Sequence, residues 1–99
     1  MIEELTRDAF AENLNTTLTV NLGQDGAIRM DLVEVSKLRE AGRQRMYSLL
    51  FRGPLEQPLQ QGIYRFKHAR LGEFDLFLVP VGKEADGMRY EAVFNNLVD

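Results

Sequence analysis

From Thr16 onward, apolar and polar positions alternate with a period of two. Leu18, Val20 and Leu22 alternate with Thr17, Thr19 and Asn21, the pattern of a strand with one buried face. Gly23-Gln24-Asp25-Gly26 then reads as a hairpin turn. Ile28, Met30 and Leu32 alternate next with Arg29 and Asp31. After Leu32 the phase slips, because Val33 and Val35 become the apolar positions and Glu34 and Ser36 the polar ones. One extra residue is what a β-bulge inserts, so the spacing predicts a bulge or sharp bend near Leu32 and Val33. Such a feature curls a sheet toward a barrel.

Residues 37–44 are polar, contain Gly42 and read as a loop. Residues 45–52 form a third strand with apolar side chains on both faces (Met46, Tyr47, Leu49, Leu50, Phe51), predicting a central strand covered on both sides. Residues 53–62 carry Gly53, Pro54, Pro58 and Gly62 and predict a long surface loop. A fourth strand spans 63–68, and a tight turn follows at 69–72. The fifth spans 73–81, with Phe74, Leu76 and Leu78 on one face and Asp75, Phe77 and Val79 on the other. Residues 82–87 read as a loop ending in Asp86-Gly87. The sixth strand, 88–94, sets Met88, Tyr90, Ala92 and Phe94 against Arg89, Glu91 and Val93.

The start of the chain is helical instead. Thr6 suits an N-cap, Leu5 and Phe10 have the spacing of a hydrophobic staple, and Asp8 suits the helix dipole. A short helix over 7–14 is predicted, with Asn13 and Asn15 favouring its end. Phe10 and Leu14 would form its apolar face, a plug rather than a long amphipathic surface. One helix and about six strands joined by hairpin-compatible turns predict a mainly β fold, a small antiparallel barrel or sandwich. The 99 residues suit one domain, 1–99. The strand aromatics Phe51, Tyr64, Phe66, Tyr90 and Phe94 are expected to pack together.

Composition narrows the classes. Apolar residues make up 44% and charged residues 27%, which is globular rather than disordered usage. The absence of cysteine excludes disulfides, thiolate metal sites and thiol nucleophiles, and favours a reducing compartment. The acidic opening MIEELTRDAF lacks an apolar signal-peptide core, and the longest apolar run, 76–81, is too short to span a bilayer, so a cytoplasmic location without membrane contact is expected. The net charge of −3 has the same sign in both halves and argues against nucleic acid as a partner.

Catalytic chemistry is thinly represented. Ser36 and Ser48 lie outside any Gly-x-Ser-x-Gly elbow, and Ser48 falls inside an apolar strand. His68 ends the fourth strand beside Lys67 and Arg70 with no acid at a suitable spacing, and reads as a half-exposed strand-end histidine rather than a general base. Glu84 and Asp86 before Gly87 are too few for a calcium loop, and both Asp86-Gly87 and Asp25-Gly26 read as turns. Gly82-Lys83 lacks the phosphate-loop spacing, and Asn15-Thr16-Thr17 is a chance match to a glycosylation pattern. No catalytic residue, cofactor or metal site is therefore expected. A carboxylate enzyme using Glu91 and Asp75 with Tyr90 would need a deep cleft to bring them together.

Lys37, Arg39, Arg43 and Arg45 form the one local cationic excess, diluted by Glu40. This is either a solvated loop or a patch for an acidic partner or an anion. Arg52-Gly53-Pro54 is tighter than core packing needs. Gly53 can adopt a positive φ there, although strand termination is the plainer reading. The candidate partner contacts are thus Lys37, Arg39, Arg43, Arg45, Arg52 and Tyr90.

Three segments occur together: Ser48-Leu49-Leu50-Phe51-Arg52-Gly53-Pro54, Gln61-Gly62-Ile63-Tyr64-Arg65, and the run from Phe77-Leu78-Val79-Pro80-Val81 through Gly87-Met88-Arg89-Tyr90-Glu91-Ala92-Val93-Phe94-Asn95. With Leu5-Thr6 and Phe10 they make the chain resemble an uncharacterised family of bacterial proteins of similar length. The resemblance implies a stand-alone bacterial domain, often encoded near phage-tail-like collar or fibre proteins. It implies no activity and supplies no site residues. The combined expectation is a non-catalytic protein-interaction or assembly module, with a protein partner or self-association through a bare strand edge. The alternative is a small-ligand barrel with a cavity among the strand aromatics, for which a six-stranded barrel leaves little interior space.

Overall fold

The computed structural model of the chain describes residues 6–97. Its elements are α1 (Arg7–Ala11), β1 (Thr17–Asn21), β2 (Ala27–Val35), β3 (Arg39–Ala41), β4 (Gln44–Gly53), β5 (Gly62–His68), β6 (Gly72–Glu84) and β7 (Gly87–Leu97). The strands run in the order β2-β1-β5-β6-β7-β4-β3, and β2 pairs again with β4. Every pairing is antiparallel. The β2–β4 pairing closes six strands into a barrel and leaves β3 as a short addition to β4. The architecture is thus the barrel of the two predicted forms.

Closure rests on two strands that change partner midway. β2 pairs with β1 from Ala27 to Asp31 and with β4 from Asp31 to Val35. β6 pairs with β5 from Gly72 to Leu78 and with β7 from Val79 to Glu84. Each carries a register shift in its second half, between Leu32 and Glu34 and between Pro80 and Gly82. Val33 is the extra residue that the slipped phase predicted. An inserted residue bends a strand and raises its twist, as a barrel corner requires.

The inward positions of the alternating strands are buried: Leu18 and Val20, Met30 and Leu32, Leu49 and Phe51, Phe66, Leu76 and Leu78, Tyr90 and Ala92. A line of ring contacts runs through this interior. Phe51 meets Phe66 with centroids 5.2 Å apart, Phe66 stacks on Phe74 at 5.9 Å, and Phe74 meets Phe10 edge-on at 5.7 Å. Phe10 then meets Phe94 at 5.7 Å, and Phe94 stacks on Tyr47 at 4.7 Å. The five aromatics expected to pack together do so, Phe51, Phe66 and Tyr90 inside the core and Tyr64 and Phe94 against it, and Phe10, Tyr47 and Phe74 join them. Tyr64 and Tyr90 also tie down a loop with their hydroxyls: Tyr64 donates to the Gln60 carbonyl at 2.6 Å, and Tyr90 accepts from the Leu59 amide at 2.7 Å.

Phe10 joins the two strands that diverge. β6 and β7 separate beyond the Val79–Glu91 pair, and the Phe10 ring touches Phe74 of one and Phe94 of the other. The helix that delivers it is capped as predicted, with the Thr6 hydroxyl accepting from the Ala9 amide at 3.1 Å. Leu5, the other half of the predicted staple, lies outside the described residues. The helix stops at Ala11, three residues early. The Asn13 side chain turns back to the Ala9 carbonyl at 2.8 Å, and Asn15 adopts φ 67°, a conformation asparagine tolerates. Leu14 is left 40% exposed, so Phe10 alone is the plug.

Two predicted loops are shorter than expected. The segment 37–44 contains β3, which pairs with β4 around Gly42 at φ 61°. Its strand positions are all exposed, so no apolar alternation marks them. β6 likewise continues to Glu84, because β7 supplies it with backbone partners past its apolar stretch.

Phe10→Ala should destabilise the domain by about 3–5 kcal/mol, the usual cost of deleting a buried phenyl ring. Leu14→Ala should cost under about 1 kcal/mol. Urea unfolding of the two variants checks this, and near-equal losses would remove Phe10 from its role.

Candidate partner-binding surface

The cationic stretch maps onto the β3–β4 hairpin and its approach. Arg39 stands opposite Met46, Glu40 opposite Arg45 and Ala41 opposite Gln44. Arg45 is neutralised by its cross-strand neighbour, its Nε lying 2.7 Å from Glu40 Oε2. Lys37, Arg39 and Arg43 are exposed and make no ion pair among the described residues. Leu38 beside them is exposed as well. The hairpin is anchored from β4, whose opposite edge pairs with β7 from Gln44 to Gly53. At its base, Ser36 and Ser48 face each other. The Ser48 amide donates to Ser36 Oγ at 2.8 Å, and the Ser36 amide donates to the Ser48 carbonyl at 2.9 Å. Ser36 Oγ is therefore part of the backbone clasp.

Arg52 lies apart from this group. It stands directly opposite Asp31 across β2–β4, with Nη2 2.5 Å from Asp31 Oδ2, and reaches Asp86 Oδ2 at 3.4 Å. Arg89 holds the other Asp86 oxygen at 2.9 Å and Glu84 at 3.3 Å. Thr17 donates to Asp31 at 2.8 Å. The result is a charge chain on the outer face from β1 to the β6–β7 turn. The Arg52 guanidinium, assisted by Thr17 and opposed by burial, holds the Asp31 carboxyl below its usual range. Arg89 does the same for Asp86. Glu84 and Asp86 thus serve arginines rather than forming an oxygen-ligand loop.

Tyr90, the last candidate contact, is fully buried and so cannot meet a partner. A strand position that alternates inward carries its ring into the barrel, and its hydroxyl pins the 53–62 loop. Gly53 is likewise not at a positive φ. It is the last residue of β4, and a Cβ there would lie 3.1 Å from Tyr90 Cε2 and 3.2 Å from Met30 Cε. The tightness of Arg52-Gly53-Pro54 is a matter of space. Gly87, which the alternation did not single out, is tighter still. At φ 153° it brings the β6–β7 turn against β4, where a Cβ would lie 2.6 Å from the Gly53 carbonyl and 2.7 Å from Arg52 Cγ.

His68 is buried, not half-exposed. Its Nδ1 accepts from the amides of Arg70 and Leu71 at 3.0 and 3.1 Å. Its Nε2 lies 2.8 Å from Thr16 Oγ1, which donates onward to the Asn13 carbonyl. That pattern requires the neutral ring with the proton on Nε2. Burial, and secondarily the charge of Arg70, push its pKa below the ordinary value. The ring is a clasp between the helix–β1 junction and the β5–β6 turn.

The carboxylates Asp75 and Glu91 do not converge with Tyr90. Asp75 faces outward to Arg65 at 3.3 Å, and Glu91 alternates to the face opposite the buried Tyr90. The aromatic line occupies the interior that a barrel ligand would need. A separate open groove of about 470 Å³ lies between the β1–β2 turn and the 53–62 loop, lined by Asn21, Leu22, Asp25, Gln57, Pro58, Leu59, Ile63 and Tyr64. Asn21 Oδ1 and the Tyr64 hydroxyl are already engaged by local backbone.

Fold and surface together define a small closed antiparallel β-barrel domain with a cationic hairpin standing on one rim. The chain belongs to the DUF6916 family of domains of unknown function, whose model matches residues 5–94. Comparison with curated proteins and with solved structures gives no match. No helix among the described residues is long and apolar enough to cross a membrane.

Gly87→Ala should cost about 2 kcal/mol or more, from backbone strain and collision with the Gly53 carbonyl. Thermal unfolding tests it, and a neutral result would refute the close approach. For His68, a depressed folded pKa means that its contribution is whole above the ordinary histidine value of 6.5 and is lost as pH falls through the folded value. Stability should therefore decline as pH falls below about 6.5, before Asp31 and Asp86 begin to protonate, and His68→Gln should flatten that decline. An unchanged slope in the variant would place the pH dependence elsewhere.

Proposed function

We propose that this domain is a non-catalytic protein-interaction module that engages an acidic segment of a partner protein through the β3–β4 hairpin. One observation carries the reading: Lys37, Arg39 and Arg43 lie on one exposed hairpin and its approach without ion-pair partners among the described residues. By contrast Arg52, Arg65 and Arg89 are each tied to carboxylates. Unpaired rim charges steer association and select partners of opposite sign. An exposed hairpin contributes no side chain to the core, so its sequence is free to serve recognition.

The non-catalytic part draws support from the groups that could have done chemistry. His68 accepts backbone amides on Nδ1, Ser36 is held in a backbone clasp, and Asp75, Glu91 and Tyr90 point to different places. The setting implied by the bacterial resemblance makes a component of a phage-tail-like or fibre assembly the first partner to try, in the cytoplasm where such structures are built.

The triple variant Lys37→Glu, Arg39→Glu, Arg43→Glu reverses the patch at exposed positions and should leave thermal stability within about 1 kcal/mol of the parent. Partner capture from a lysate of the source cell should fall by about tenfold or more, and parental capture should weaken as salt is raised. A partner held equally well by the triple variant and insensitive to salt would refute the proposal.

A further inference from the structure

β7 is paired on both sides only as far as Glu91. From Ala92 to Leu97 it pairs with β4 on one edge, while β6 has turned away from the other. That leaves six residues, Ala92-Val93-Phe94-Asn95-Asn96-Leu97, with one backbone edge unpaired among the described residues. An unpaired edge is a template for another strand, and proteins ordinarily blunt it with charge, proline, glycine or a bulge. The other unpaired stretches of three or more residues here are blunted in that way. β2 has Arg29 on the stretch that β4 leaves free and the bulge with Glu34 on the stretch past β1, and β3 has Arg39 and Glu40. β6 has Glu73 and Asp75 on one half, then Pro80, the bulge and Lys83 on the other. The free end of β5 begins at Gly62. The β7 edge has none of these.

Its outer face carries one exposed apolar side chain, Val93, next to the uncharged Asn95. Val93 is 64% exposed, and Phe77 on the facing part of β6 is 51% exposed. Phe77 is in turn the cross-strand partner of Ile63, which is 72% exposed.

We propose that the β7 edge from Ala92 to Leu97 is a self-association surface, where a second copy of this chain adds its own β7 antiparallel about a two-fold axis. A second copy fits for two reasons. A two-fold axis turns identical strands antiparallel, so the same hydrogen-bonding edge serves both copies. The strand is also uncharged along the whole stretch, so two chains of net charge −3 meet there without like charges facing across the junction. The joined sheet runs β3-β4-β7 and then β7-β4-β3 of the second copy. It covers Val93 and sets the two cationic hairpins at opposite ends. The arrangement does not depend on what those hairpins bind.

Native mass spectrometry and light scattering over a concentration series read the outcome directly. The expected species is twice 11.3 kDa. Val93→Lys and Asn95→Lys place like charges across the axis at outward positions, and each should raise the dimer dissociation constant tenfold or more. The chain lacks cysteine, so cysteines introduced at 93 and 95 report the pairing. Combined in one chain, they should form an intermolecular disulfide on mild oxidation whether the axis falls at 93, 94 or 95, while Val81→Cys should not. The cysteine variants keep the test decisive if a lysine variant fails to fold. A species of 11.3 kDa throughout the series, or a dimer indifferent to both lysines and cross-linked at 81 instead, overturns the proposal.

Discussion

A barrel of six strands closes only if every strand hands its hydrogen bonds to two neighbours, and here that hand-over is split within single strands. β2 gives its first half to β1 and its second to β4, and β6 does the same between β5 and β7. A flat strand cannot face two directions, so each of the two carries an inserted residue, Val33 or Val81, that bends it. The other unusual features follow from this division. Where β6 leaves β7, a wedge opens that the sheet cannot fill. Phe10 fills it from outside the sheet, touching a ring on each diverging strand. Where β7 runs on without β6, an edge is left unpaired among the described residues.

Close packing turns these local requirements into one another. Phe10 is placed by α1, and the junction after α1 is tied through Thr16 to His68 at the start of the β5–β6 turn. Loss of the neutral imidazole would loosen the junction and with it the plug. Gly53 and Gly87 do comparable work at the opposite strand ends, where β4 and the β6–β7 turn approach too closely for a Cβ. The arginine–carboxylate chain lies over that approach and ties Asp31, Arg52, Asp86 and Arg89 across the outer surface. Its members are partly exposed, so it orients the turn more than it stabilises the fold. Tyr47 is an exception. Its hydroxyl is buried without a hydrogen-bond partner among the described residues, and burial pushes its pKa up. The stacking contact with Phe94 offsets part of that cost.

The two proposed surfaces share one origin. A fold that buries a continuous line of aromatics has little interior to offer a ligand, and both proposals therefore rest on what projects. The β3–β4 hairpin projects its cations, and the end of β7 projects backbone. Arg52 and Tyr90 share neither property, since one is committed to carboxylates and the other to the core and the 53–62 loop.

The alternation of single residues determined most of the strands, the hairpin at Gly23 to Gly26, the bulge at Val33, the Thr6 cap and the role of Phe10, because each follows from interactions between residues near in sequence or from which face a side chain must turn inward. β3 left no mark, since a strand with no buried face needs no apolar period. Alternation alone turned Tyr90 inward, which rules it out as a contact, whereas His68 read as half-exposed because Lys67 and Arg70 flank it in sequence while its ring folds back on the β5–β6 turn. The close approach at Gly87, the entry of Phe10, Tyr47 and Phe74 into the aromatic cluster, and the edge of β7 left unpaired among the described residues were decided only by the tertiary structure. Each depends on which strands meet and where they part, and that is set by closure of the whole barrel rather than by any one segment.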